Sequence, residues 1–194
     1  MKKQSELNNL VEQTNRREKI KKEKVDIKWI LIILIVTFVI SFGLSFVANT
    51  TIPNLSLVFG IIITFLFILI GILFDIIGVA VTSADEAVFH SMNSRKVKGA
   101  AIAVKFKKNA DKTSSFCCDV IGDICGVISG AAGTTICAIL VSKYHTDLLI
   151  TGLVITAIIS SLTIGGKALG KSFAINKSDI ILYEFAKVIS NFYH

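Results

Sequence analysis

Four stretches of this chain are apolar for longer than a water-soluble fold of its size accommodates. They cover about 29–48, 57–81, 116–142 and 147–165 of 194 residues. A helix rises about 1.5 Å per residue, so about 20 residues cross about 30 Å of hydrocarbon; the last run only just reaches that length. In lipid, backbone N–H and C=O groups must be satisfied inside the segment, which makes such runs helices. The sequence therefore predicts an all-α, polytopic membrane protein with four transmembrane helices and cytoplasmic juxtamembrane helices. A mean hydropathy of +0.69, 53% hydrophobic residues and a single proline agree. The first run follows 28 largely polar residues and precedes no small-residue cleavage site, so no cleavable signal peptide is expected.

Charge sets the expected topology. Residues 1–28 hold nine Lys/Arg against five Asp/Glu, residues 82–115 seven against three, and residues 166–194 four against two. The connections at 50–56 and 143–147 are nearly free of basic residues. Basic segments stay inside. The expected organisation is a cytoplasmic basic tail (1–28), a transmembrane domain (29–174) with its cytoplasmic segment 82–115, and an amphipathic C-terminal helix (175–194). Both termini lie in the cytoplasm of a multi-pass cell-membrane protein. Trp29 stands where an interfacial aromatic anchor belongs. The net charge of +7 is split over three juxtamembrane segments, so the expected partner is the lipid bilayer and not nucleic acid.

Five carboxylates lie inside or at the rim of the apolar runs: Asp75, Asp85, Glu86, Asp119 and Asp123. A charge in hydrocarbon costs at least about 2.5–3.5 kcal/mol, and usually faces an ion, a counter-charge or a water-filled cavity. Asp85 and Glu86 end the second run, and Asp119 and Asp123 open the third, one helical turn apart. Two acidic ends that meet suggest a cation site. Asp75, inside the second run, reads as a membrane-buried ligand, as a residue near the cytoplasmic interface, or as the partner of a lysine.

On a helical wheel Asp119, Gly122, Asp123, Gly126, Gly130 and Gly133 share an arc of about 100°. Each glycine costs roughly 1 kcal/mol in a helix interior. Close approach of another helix offsets that cost in a membrane. This face is expected to pack tightly, within the chain or across a dimer. Cys117, Cys118, Cys125 and Cys137 have neither zinc-ligand spacing nor a histidine cluster beside them, and read as small packing residues. No nucleophile–base arrangement or phosphate loop appears, so the chain does not read as an enzyme. Residues 86–108 and 178–193, the latter behind an N-cap candidate at Ser178, are amphipathic. Such helices lie in the interface with their lysines reaching headgroups, or pack on one another.

Three segments in order carry a family resemblance. Ser83-Ala84-Asp85-Glu86-Ala87-Val88-Phe89 resembles the Ser-(Gly/Ala)-x-Glu-x-Ala motif of the transmembrane domain of CNNM/CorC magnesium transporters. Ser94-Arg95 and Gly99-Ala100-Ala101 follow, as small and basic residues do in that family's juxtamembrane helices. Val120-Ile121-Gly122-Asp123 is similar to its Ile-Gly-Asn segment. Gly166-Lys167-Ala168-Leu169-Gly170-Lys171-Ser172-Phe173-Ala174 is similar to its Gly-Glu-x-x-Pro-Lys-x-x-Ala segment. The resemblance covers about 57–181 and is to the transmembrane domain only; no counterpart of the family's CBS pair or C-terminal CorC-type domain lies in these 194 residues. It implies a three-span core, here preceded by an added first span, a homodimer, and Mg²⁺, with Co²⁺ beside it, as the ion. Carried over, the metal residues are Ser83, Glu86 and Asp123, with Asp119 one turn away. Asp123 stands where the family has Asn, Lys167 where it has Glu, and Gly170 where it has Pro. The first change adds a negative charge and the second replaces a negative charge by a positive one, so the two can compensate as an ion pair, with Lys167 expected as an internal counter-ion to Glu86 or Asp123.

Two functions follow. The chain transports a divalent cation, Mg²⁺ or Co²⁺; hard oxygen ligands suit Mg²⁺, which keeps part of its water shell. Alternatively it keeps the fold, does not transport, and acts as an interaction or regulatory partner. The position of Lys167 discriminates between them: pointing into the site within reach of Glu86 or Asp123 it favours the second function, and turned out to the cytoplasmic surface it favours the first.

Overall fold

The computed structural model describes residues 27–51 and 56–192. The basic tail up to residue 26, most of the first connection (52–55) and Tyr193–His194 lie outside the described residues. The chain divides into two compact units, Met1–Leu34 and Ile35–His194, and all packing described below lies within the second.

The described residues are helical throughout their regular structure: α1 (Ile27–Thr51), α2 (Leu57–Ser83), α3 (Glu86–Ser94), α4 (Ala100–Lys108), α5 (Ala110–Ser115), a π-helical turn (Phe116–Gly122), α6 (Asp123–Tyr144), α7 (Leu148–Asn176) and α8 (Ser178–Phe192). Four helical stretches are long and apolar enough to cross a membrane: 27–48, 57–83, 110–144 and 148–176. The chain is thus an all-α polytopic membrane protein. The fourth stretch runs well past the expected end at 165, because Gly165 and Gly166 do not interrupt the helix. In α1, Ile30, Leu31, Ile32, Leu34, Phe38, Leu44 and Val47, which together point to all sides of the helix, are exposed. A helix apolar on every side is a helix for lipid.

Helices α2, α6 and α7 pack on one another. The crossing points are glycines, since only a missing Cβ lets these backbones approach so closely. A Cβ on Gly71 of α2 would stand 3.1 Å from Cys125 Cβ and 3.2 Å from the Gly122 carbonyl. One on Gly78 would run into Cys118 Sγ. Gly166 and Gly170 of α7 receive Ile72 and Ile76 of α2. The expected glycine face of the third span is only partly used: Gly122 and Gly133 meet neighbours, whereas Gly126 and Gly130 have nothing within 4 Å. Helices α6 and α7 form a hairpin. His145 closes α6 in the left-handed conformation (φ 53°), and the Asp147 carboxylate caps α7 by accepting from the N–H groups of Leu149 (2.8 Å) and Ile150 (3.3 Å).

At the other end of the bundle the short helices form a second layer. Val81 and Ala84 from the end of α2, Phe89 of α3, Ala103 and Val104 of α4, and Leu182 and Ala186 of α8 make one buried apolar cluster. Phe106 and Phe185 stack at 5.7 Å between ring centroids. Lys107 reaches back to α2 and donates to the carbonyls of Val81 (3.2 Å) and Thr82 (2.8 Å), groups that a helix C-terminus leaves without internal partners.

Candidate functional site

Each of the three packed spans contributes one ionisable side chain to a single locus. Asp75 comes from α2, Asp123 from the first turn of α6 and Lys167 from α7. Lys167 Nζ lies 3.1 Å from Asp123 Oδ1, donating a hydrogen bond, and 3.7 Å from Asp75 Oδ1. Asp75 is 17% exposed, Lys167 24% and Asp123 68%, so the trio opens to one side. The α2 backbone ends about 12 Å further along the axis from Asp75, taking eight residues at the helical rise. Two carboxylates and one ammonium leave one negative charge in excess.

The backbone that delivers Asp123 is unusual. The π-helical turn Phe116–Gly122 immediately precedes it. Such wide turns inside α-helices concentrate at functional sites. Cys118 of this turn donates its thiol to the Asp75 carbonyl at 3.6 Å and lies 3.9 Å from Ser114 Oγ. Gly122 closes the locus: a Cβ there would stand 3.6 Å from both Lys167 Nζ and the Gly71 carbonyl. The absence of side chains at Gly71 and Gly122 therefore sets the spacing between the helices that carry the charges.

The structure distributes the sequence-derived candidates differently. Asp123 and Lys167 come together, and Asp75 joins them. Asp119 is exposed one turn before Asp123. Ser83 is exposed at the end of α2. Glu86 begins α3 with its carboxylate 3.1 Å from His90 Nε2, half exposed. Asp85 is a cap: its carboxylate accepts from the Ala87 N–H at 3.0 Å, and its own N–H donates to Asp179 Oδ1 at 2.8 Å. Among the described residues, no three or more His, Cys, Asp or Glu side chains form a group fit to hold a metal ion. The lysine is what holds the two carboxylates. Comparison with protein-family models, curated proteins and solved structures finds no match to this chain.

Proposed function

We propose that this chain is a divalent-cation transporter, for Mg²⁺ with Co²⁺ beside it, built on a CNNM/CorC-like core, in which Lys167 is the resident cation that the transported ion must displace. The observation that carries this reading is the convergence of Asp75, Asp123 and Lys167 from three different spans. Ionisable residues in spans usually mark ion pathways, and here moving one flexible side chain uncovers two carboxylates at once. Ser83, the last residue of α2, Glu86, the first of α3, and Asp119 before Asp123 then supply oxygen groups toward the mouth, where Mg²⁺ is held through its water shell. Both termini lie in the cytoplasm of the cell membrane in this reading, and the working unit is a homodimer.

The 3.1 Å contact between Lys167 and Asp123 also favours a second reading, in which the site is permanently satisfied and the protein acts as a non-transporting partner. One experiment separates the two. Mg²⁺ uptake into proteoliposomes and Mg²⁺-dependent thermal shift in detergent are measured for the parent, Glu86→Gln, Asp123→Asn and Lys167→Glu. A parent that responds, weakened by Asp123→Asn and strengthened in binding by Lys167→Glu, supports transport. A response in Lys167→Glu alone supports the lysine-sealed partner. Silence in both parent and Lys167→Glu removes the cation site altogether.

A further inference from the structure

We propose that the edge formed by Arg95, Lys96, Lys98, Lys105 and Lys108 is a binding surface for anionic phospholipid headgroups. This inference depends on the membrane fold and not on transport. Residues 94–112 hold seven Lys/Arg and a single acid, Asp111. Arg95, Lys96, Lys98, Lys105 and Lys108 are all exposed. On α4 the buried side is Ala100, Ala103 and Val104, which leaves Lys105 and Lys108, three apart, together on the outer side.

The edge is fixed in place rather than loose. Lys96 (φ 55°) and Gly99 (φ 87°) adopt left-handed conformations. A Cβ on Gly99 would lie 2.9 Å from Lys187 Cα, so this loop sits directly on α8. Among the described residues, Glu86 contacts His90, Glu184 contacts Lys187, and none of the five basic residues of the edge is ion-paired with a carboxylate.

The level of the edge selects lipid over a soluble acidic partner. Lys107 binds the carbonyls of Val81 and Thr82, the last turn of an apolar span, and so ties α4 to the depth where that span leaves the hydrocarbon. Phosphodiester groups lie at that depth. Lysine and arginine stems extend along apolar surface and deliver their charges to them.

The test uses the full chain in detergent with added phosphatidylglycerol, phosphatidylcholine or inorganic phosphate, read by lipid retention in native mass spectrometry and by Tm. The parent should retain phosphatidylglycerol over phosphatidylcholine by at least about tenfold, with a preference that falls as salt rises. The variant Lys98→Glu/Lys105→Glu/Lys108→Glu should lose the preference while keeping the parent's lipid-free Tm. Lys143→Glu, at the opposite end of the bundle, should keep it. A parent without preference, a triple variant that retains it, or equal stabilisation by inorganic phosphate would each overturn the assignment.

Discussion

At the residue scale the central question is what Lys167 neutralises. Its ammonium faces Asp75 and Asp123, and two carboxylates without it would stand uncompensated among apolar helices. Removing one partner of a buried ion pair costs about 3–5 kcal/mol, and the partial opening of this trio lowers that figure. Lys167→Met should therefore destabilise the protein by about 2 kcal/mol in a detergent unfolding titration, and the double variant Lys167→Met/Asp75→Asn should recover part of the loss. If the double variant is no better than the single one, Asp75 is not held by the lysine. Lys167 and Asp123 were legible as a pair because the two departures from the motif pattern put an acid at one position and a base at the other. Asp75 was legible as a charge out of place, but its partner lies 92 positions away, and no local pattern reports that distance. Asp85 was read with the cation carboxylates, whereas its position just before Glu86-Ala87 is that of a helix cap.

At the level of elements, the glycines of α2 matter more than their number suggests. Gly71 and Gly78 admit the backbone and cysteines of the 114–125 segment, and added side chains have nowhere to go. Gly78→Val should cost about 1–3 kcal/mol by overpacking, measured as a fall in Tm. Gly126→Leu should not destabilise the monomer, since a Cβ there would meet nothing within 4 Å and glycine itself costs roughly 1 kcal/mol in a helix interior. If Gly126→Leu instead shifts the oligomeric state in crosslinking or mass photometry, the open groove with Gly130, Thr156 and Ser160 is where a second copy packs. The sequence favoured the third span's glycine row because its four-residue spacing is visible along one helix. The contacts of Gly71, Gly78, Gly166 and Gly170 depend on which helices meet, and that is not written along any one of them. The π-helical turn was not legible either, because Phe116–Gly122 carries no residue type that forces the wider winding.

At the scale of the molecule, the apolar runs were enough to define four long helices, since length and hydrophobicity are properties of each segment alone. The layer of short helices was legible only as amphipathic patterns; its packing on the end of α2 comes from Lys107 and the apolar cluster around Phe89. The charge distribution gives a topology that labelling can check. A membrane-impermeant thiol reagent applied to intact cells should modify His145→Cys and not Lys98→Cys, and the reverse result would invert the whole protein in the membrane. The ion trio has one further consequence, for biogenesis. During synthesis Asp75 enters the bilayer first, Asp123 second and Lys167 last, so the two acids wait for the base until α7 emerges. The cost of an isolated charge in hydrocarbon, at least about 2.5–3.5 kcal/mol, makes that waiting state poorly tolerated. Helices α2, α6 and α7 should then leave the insertion machinery as one unit rather than one by one, with the lysine as the signal that assembly is complete.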